Sequence, residues 1–326
     1  MKRTSTDVLG RSFESVIANW PLLLLRVAAS IVTAAIAIGA IVALVASLVI
    51  YGGMSYLRDL PGSFSGDKDR VMSIASEIAG DIARAITHHW LIVIGILVYV
   101  LVVFAVMLAI HAFVQGGAVL VYIDAEKKAE LAVAGAGYAR FAAFSAERWI
   151  EGGRRFAWRI FCIYNIAGGA ICTVLLVPLM VILLMVLALR NAGTGVVIAM
   201  SCLGILVTVC LAAVAMIVIG VWSVRAIVDC AVSNAGATES VRLARVAIRN
   251  DLGRHLAIAG IIMAISFGAS MFSSGFSGFV RIPHSMSLSL LFASVHMVST
   301  LVTSAISAVV AGWFLAAFTS LGTERH

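Results

Sequence analysis

The feature that most constrains this chain is a series of apolar runs, each longer than the core helix of a soluble protein requires. A helix needs roughly 20 consecutive apolar residues to cross the hydrocarbon of a bilayer. Strands of a membrane β-barrel would instead alternate apolar and polar residues, and these runs do not. We therefore predict six transmembrane helices, near residues 21–52, 90–123, 157–189, 196–226, 255–275 and 287–320.

The composition agrees with this interpretation. Of the 326 residues, 62% are hydrophobic and 12% are charged, whereas a soluble domain has about twice that charged fraction. The predicted fold is all-α: one integral membrane domain over residues 1–326, with six transmembrane helices and amphipathic interfacial helices. The stretch HAFVQGG (111–117) interrupts the second run, so we expect that helix to bend or to leave the membrane there.

The distribution of lysine and arginine predicts the orientation. Seventeen of the 23 basic residues lie in the first 26 residues, in 124–159, in 225–254 or at the carboxyl end. Because cytoplasmic loops carry the excess of these residues, we expect both termini in the cytoplasm of a bacterium and the chain in its cytoplasmic (inner) membrane. The net charge of +7 is thus a topology signal, and we expect no nucleic-acid partner, since basic residues are not interleaved with exposed aromatics.

The segment GATESVRLARVAIRNDLGRH (236–255) has two stripes when it is drawn as a helix. Val241, Ala244, Ile248 and Leu252 form an apolar stripe. A basic stripe at the same spacing is formed by Arg242, Arg245 and Arg249. A helix with this pattern lies in the membrane surface, with its arginines among the lipid phosphates. These three arginines are therefore predicted to contact lipid headgroups.

Two other segments follow a similar plan. SAERWIEGGRRFAWRIF (145–161) carries Arg154, Arg155 and Arg159, which we also predict to contact headgroups, and SFESVIANWPLLLLR (12–26) is a weaker copy. One interpretation is three tandem units, each a surface helix followed by a transmembrane hairpin. The alternative is that any basic loop beside a span has these features. The units would comprise residues 10–123, 140–226 and 234–320.

One region resembles known membrane proteins. QGGAVLVYIDAEKKAELAVAGAGYARFAAFSAERWIEGGRRFAWRIF (115–161) combines a Gly-Gly pair at a helix end, a short loop of mixed charge and a Gly-Arg-Arg helix. Together with ATESVRLARVAIRNDLGRH (237–255), it resembles a broad group of poorly characterised bacterial six-helix membrane proteins, which includes the membrane domain of some glycerophosphodiester phosphodiesterases. The acidic and histidine metal ligands of the attached catalytic barrel are absent. The resemblance therefore implies a fold and a topology, and no hydrolase activity.

Two further patterns concern structure. The loop between the first two spans, residues 54–88, is predicted to contain an external amphipathic helix in its second part, with a partly disordered loop as the alternative. Small residues recur every fourth position in two spans, which permits close helix approach. We expect them to pack helices within the chain or to form a face for self-association. They are Ala35, Gly39, Ala43, Gly260, Ala264 and Gly268.

The sequence contains little that predicts chemistry. No motif for a nucleophile, a phosphate loop or a dinucleotide is present, so we predict no catalytic, cofactor-binding or metal-binding residue. A metal site of His88, His89 and His284 is the weaker alternative, and His111 and His296 lie at depths too different for a shared haem. Asp124, Arg225 and Asp229 lie at helix ends, where we expect them to pair with one another.

These observations favour a non-enzymatic scaffold or accessory subunit of a membrane complex. It would contact anionic lipids through its basic surface helices and would bind protein partners or another copy of itself. The alternatives are a transporter or channel for a lipid or a small apolar solute, and a membrane-embedded enzyme that acts on lipids. A proton-coupled carrier is disfavoured because no acidic residue lies near the middle of a predicted span.

Overall fold

The computed structural model describes residues 3–52, 90–132, 137–188, 194–278 and 286–324. Within these ranges the chain is helical apart from short connections, and the predicted all-α fold is confirmed. The helix predicted for 54–88 lies outside them, as do His88, His89 and His284. The helices are α1 (Ser5–Ala18), α2 (Pro21–Gly52), α3 (Trp90–Leu131), α4 (Ala146–Ala188), α5 (Thr194–Val232), α6 (Ala237–Asn250), α7 (Leu252–Gly278) and α8 (Met286–Thr323), with a 3-10 turn at Gly137–Phe141.

The long helices coincide with the six apolar runs. Helices α2, α3, α4, α5 and α8 are each long and apolar enough to cross a membrane. Helix α7 meets the same test together with α6, from which it is separated by a bend of 97°. The described chain therefore has five membrane-spanning helices, or six when the bent pair is included, and its architecture is that of a multi-pass membrane protein.

The first helix begins at a capping box. The side chain of Thr4 accepts a hydrogen bond from the backbone N–H of Asp7, and the carboxylate of Asp7 accepts one from the backbone N–H of Thr4. Such reciprocal bonds satisfy donors that a helix start leaves unpaired. Val8 and Val16 lie on the buried face of α1, so this short helix is fixed both by its cap and by its packing.

The described chain divides into two compact units. The smaller unit, Ala29–Ile110, contains most of α2 and the first half of α3. Its apolar side chains are mostly exposed, among them Ile38, Leu101 and Phe104. An exposed apolar surface of this kind is costly in water and is suited to lipid.

The larger unit contains residues 1–28 and 111–326, and burial along its helices changes sharply. The apolar residues of α5 are largely exposed between Leu203 and Val218, yet Val221 and the residues Ala226–Cys230 are buried. Helix α8 shows the same change, since Val302 is exposed and Phe318 is buried. We name the buried part the head; it consists of the described residues within 3–28, 111–168, 221–262 and 308–324.

The head lies where long helices extend past the hydrocarbon. Helix α4 has 43 residues, which corresponds to about 65 Å, whereas the hydrocarbon is about 30 Å thick. Its charged residues all lie between Glu147 and Arg159, and none follows before Ala188. The uncharged part alone can cross the bilayer, so the charged end of α4 belongs to the head.

One sequence prediction was wrong in this region. Residues 145–161 do not form a separate surface helix, because α4 runs without a break from Ala146 to Ala188. The stretch 111–117 lies within α3, which is helical from Trp90 to Leu131, and the expected bend or exit from the membrane there stays a prediction. The glycine pairs of α3 and α4 lie at a close crossing between the two helices, where a side chain would not fit.

Aromatic rings surround this crossing. A Cβ atom built on Gly117 would overlap the Trp149 ring, and one built on Gly153 would lie 2.7 Å from the Phe113 ring. The rings of Phe113 and Trp149 are themselves packed edge to face, with centroids 5.3 Å apart. The two glycine pairs thus create the space that these rings occupy.

Candidate functional site: the charged core and basic rim of the head

Glu126 is the centre of a buried ion-pair network. Its side chain is 2% exposed, and its Oε2 atom accepts hydrogen bonds from Arg3 at 3.2 Å and from Arg11 at 2.9 Å. Arg3 also pairs with Glu130 on the next turn of α3, at 2.8 Å. A carboxylate taken out of water is stable only when it is paired in this way. The network attaches α1 and the residues before it to α3.

The same network reaches the end of the described chain. Arg3 donates a hydrogen bond to the Ser320 hydroxyl at 3.1 Å. Arg254 on α7 binds both carboxylate oxygens of Glu324, at 2.8 and 2.9 Å, and two parallel bonds of this type fix orientation as well as distance. Residues near 3 and 324 therefore lie at the same end of the molecule.

The polar residues that were predicted to pair at helix ends do so only in part. Arg225 and Asp229, one turn apart on α5, are both buried and form two hydrogen bonds of 2.7 and 3.1 Å. This part of the prediction is confirmed. Asp124 does not pair with them. Arg148 of α4 instead donates a hydrogen bond to the Asp124 carboxylate at 2.8 Å and another to Glu151. The inclusion of Asp124 was therefore wrong.

Asn19 connects α1 to the segment before α4. Its side-chain amide donates hydrogen bonds to the carbonyl oxygens of Ser15, at 2.8 Å, and Phe141, at 2.9 Å. Its carbonyl oxygen accepts one from the backbone N–H of Ala143 at 3.0 Å. Asn19 is fully buried, so a side chain without these groups would leave backbone atoms unpaired.

The predicted headgroup-binding arginines of α4 fall into two groups. Arg154 and Arg155 are exposed. Arg159 instead donates hydrogen bonds to the side chain of Asn234 at 2.8 Å and to its backbone carbonyl at 2.9 Å. Asn234 has a positive φ of 51° in the turn between α5 and α6, so Arg159 stabilises that turn. Arg159 thus has an internal role that its sequence position did not indicate.

The predicted headgroup-binding arginines of α6 form an exposed face. Arg242, Arg245 and Arg249 are all exposed, while Ala244 and Ala247 on the other face are buried. This arrangement follows from the helical spacing that the sequence showed. We call these three arginines the α6 stripe.

One arginine of the α6 stripe has an internal partner. Arg242 donates two hydrogen bonds to Glu239, at 2.7 and 3.0 Å, and these bonds lower the pKa of the Glu239 carboxyl. Because both side chains are exposed, the pair adds little stability. No pairing partner is described for Arg245 or Arg249, whose charges are available to the surroundings.

The small residues that were predicted to pack helices are exposed in the described structure: Ala35, Gly39, Ala43, Gly260, Ala264 and Gly268. A Cβ atom built on Gly39, Gly260 or Gly268 would have no neighbour within 4 Å. The close crossing is made instead by the glycines of α3 and α4. A role of the six residues in self-association stays a prediction.

A second polar group lies at the edge of the head, close to the first turns of α2. Arg26, the sixth residue of α2, donates a hydrogen bond to the side-chain oxygen of Gln115 at 2.7 Å. The hydroxyl of Tyr122 is buried nearby and has no hydrogen-bond partner among the described residues. This group was not predictable from the sequence because its members lie on helices that are distant in the chain.

The described residues bring together no group of three histidine, cysteine or acidic side chains that could hold a metal ion. The fold and the head thus define a multi-pass helical membrane protein with a buried, ion-paired core at one end of its helices. Comparisons of the chain with protein family models, with curated proteins and with solved structures find no match.

Proposed function

We propose that the protein is a non-enzymatic scaffold or accessory subunit of a membrane complex, and that the α6 stripe holds its head against anionic lipid headgroups. In this proposal it lies in a bacterial cytoplasmic membrane with both termini in the cytoplasm. Membrane lipids are its first partners, and protein partners or a second copy bind in the membrane.

The observation that carries this proposal is the bend of 97° between α6 and α7. If α7 crosses the bilayer, α6 runs nearly parallel to the membrane surface. The exposed face of α6 combines three arginines with the apolar side chain of Val246, which is 52% exposed. Side chains of this mixture suit the boundary between headgroups and hydrocarbon.

The ion pairs of the head support a structural role. Three of its acidic residues, Glu126, Asp229 and Glu324, are each engaged by an arginine. The pairs of Glu126 and Glu324 join different segments of the head, and a carboxylate engaged by an arginine is poorly suited to bind a substrate or to transfer a proton. A rigid head with a basic rim is well suited to hold other components at the membrane surface.

Amide hydrogen exchange of the full chain in nanodiscs tests the lipid contact. We expect α6 to exchange more slowly in phosphatidylglycerol than in phosphatidylcholine, and we expect the triple variant Arg242→Gln, Arg245→Gln and Arg249→Gln to lose that difference. Lys127→Gln, which removes an exposed charge on α3, is the control and should keep it. Equal exchange of wild-type α6 in both lipids would contradict the proposal.

Two further measurements test the scaffold role and the proposed orientation of the chain. Purification from native membranes in a mild detergent should yield an assembly of defined stoichiometry, and a lone monomer without a second component would contradict the scaffold. A cysteine placed at Ser233, in the exposed turn before α6, should resist a membrane-impermeant thiol reagent in intact cells. Labelling there would reverse the proposed orientation.

A further inference from the structure

The group around Arg26 contains a charge that no described residue balances. No carboxylate pairs with Arg26 in the described part of the chain; its interacting neighbours there are Gln115, Tyr122, Tyr164 and His111. The Nε atom of Arg26 is buried and lacks a hydrogen-bond partner among the described residues. An uncompensated charge beside hydrocarbon is unfavourable, so this arrangement favours an anion.

A second unsatisfied donor lies in the same group. Tyr122 is 0% exposed, and its hydroxyl has no partner among the described residues. The hydroxyl faces Gly312 of α8, where a Cβ atom would lie 3.2 Å from the phenol oxygen. A buried tyrosine hydroxyl normally finds an acceptor, and the guanidinium beside it makes a negatively charged acceptor favourable.

The position of the group indicates the source of the anion. Arg26 lies about 8 Å along the helix axis from the start of α2 at Pro21, and its side chain is partly exposed. Leu24, two residues earlier, is 59% exposed. A phospholipid can therefore place an acyl chain beside Leu24 and its phosphate at Arg26.

We propose that Arg26, Gln115 and Tyr122 form a binding site for the phosphate group of an anionic phospholipid. The Nε atom of Arg26 and the hydroxyl of Tyr122 donate hydrogen bonds to phosphate oxygens. Gln115 is a positioning residue that fixes the other edge of the guanidinium. The single negative charge of a phosphatidylglycerol headgroup balances Arg26. This site is separate from the α6 stripe and does not rest on the proposed scaffold role.

Native mass spectrometry of the full chain, exchanged with phosphatidylglycerol in detergent, tests the site. We expect one retained lipid per chain, and none after exchange with phosphatidylcholine. Arg26→Gln and Tyr122→Phe should each lower the retained fraction about tenfold, as loss of a charge-assisted hydrogen bond predicts. Lys127→Gln removes the same charge from the exposed surface of α3 and should change nothing.

Three results would overturn the proposal: a wild-type protein that retains no phosphatidylglycerol, a Tyr122→Phe variant that retains as much as wild type, or displacement of the lipid by millimolar inorganic phosphate. The last result would make free phosphate the ligand. Tyr122→Phe preserves the packed ring, so it remains informative if Arg26→Gln does not fold. Exchange of α6 in phosphatidylglycerol nanodiscs should be normal in both variants, which separates this test from that of the α6 stripe.

Discussion

Gly116 of α3 and Gly152 of α4 pack backbone against backbone. A Cβ atom built on Gly116 would lie 2.9 Å from the carbonyl oxygen of Gly152, and one built on Gly152 would lie 2.6 Å from the carbonyl oxygen of Gly116. Neither oxygen is the end of a flexible side chain, so neither can move aside without displacing a helix. The crossing therefore requires glycine at both positions.

The first prediction concerns this crossing. Gly152→Ala should lower the free energy of unfolding by about 1–2 kcal/mol, since overpacking costs about 1–3 kcal/mol and exceeds the gain of up to about 1 kcal/mol in helix propensity. Thermal unfolding of the purified protein in detergent measures the change. Gly260→Ala is the matched control, since nothing lies within 4 Å of its Cβ position. A melting temperature that stays the same or rises in Gly152→Ala would show that the helices separate easily.

The second prediction compares two carboxylates of α3 that share Arg3 as a partner. Glu126→Gln should lower stability by about 3 kcal/mol, because it removes one member of a buried ion pair. Glu130→Gln should cost less than about 1 kcal/mol, since the Glu130 side chain is 51% exposed and its pair is screened. Chemical denaturation of both variants measures the two costs. Equal losses of stability in the two variants would mean that burial of the carboxylate does not determine how much its ion pair contributes.

The third prediction concerns Asn19. Asn19→Ala should destabilise the protein by about 2–3 kcal/mol, because it leaves the buried backbone groups of Phe141 and Ala143 unpaired. It should also accelerate tryptic cleavage after Arg140, since the 3-10 turn loses its attachment to α1. Asn165→Ala is the control, because Asn165 is exposed and bonds only within its own helix. Unchanged cleavage after Arg140 would argue against the attachment.

The fourth prediction is a pH dependence at the start of α1. Hydrogen bonds from Thr4 lower the pKa of the Asp7 carboxyl, so the capping box is stabilised while Asp7 is ionised. This contribution is complete at neutral pH and is lost as the pH falls below about 4, through the lowered pKa. Amide exchange in the first turn of α1 should therefore differ between wild type and Asp7→Asn at pH 6. The two should converge once the pH lies below the lowered pKa of Asp7, and a difference that does not depend on pH would exclude the carboxylate as the cause.

The helices were predictable because the length and polarity of an apolar run depend only on neighbouring residues. The pairing of Arg225 with Asp229 was predictable for the same reason, since residues four apart share a face of a helix. The α6 stripe followed from the helical period.

The rest of the head depends on contacts between distant residues. Arg11 and Glu126 are 115 residues apart, and no periodicity relates them. The stretch 111–117, which ends in Gly116 and Gly117, was expected only to interrupt the second apolar run. The close helix crossing that Gly116 and Gly117 allow also requires Gly152 and Gly153 on the opposite helix. A charged residue just after a long apolar run, such as Glu126, was the one available signal for a buried pair.

The partners of Arg3 also determine the order of events during biosynthesis. Arg3 is synthesised before Ser320, a partner that lies 317 residues further along the chain. Helix α1 can dock on α3 through Glu126 once α3 has been made, but its contacts with α8 must wait until α8 has been inserted. Closure of the head is therefore a late step, and a product truncated before α8 lacks the bonds of α1 and the segment before it to Trp313 and Ser320.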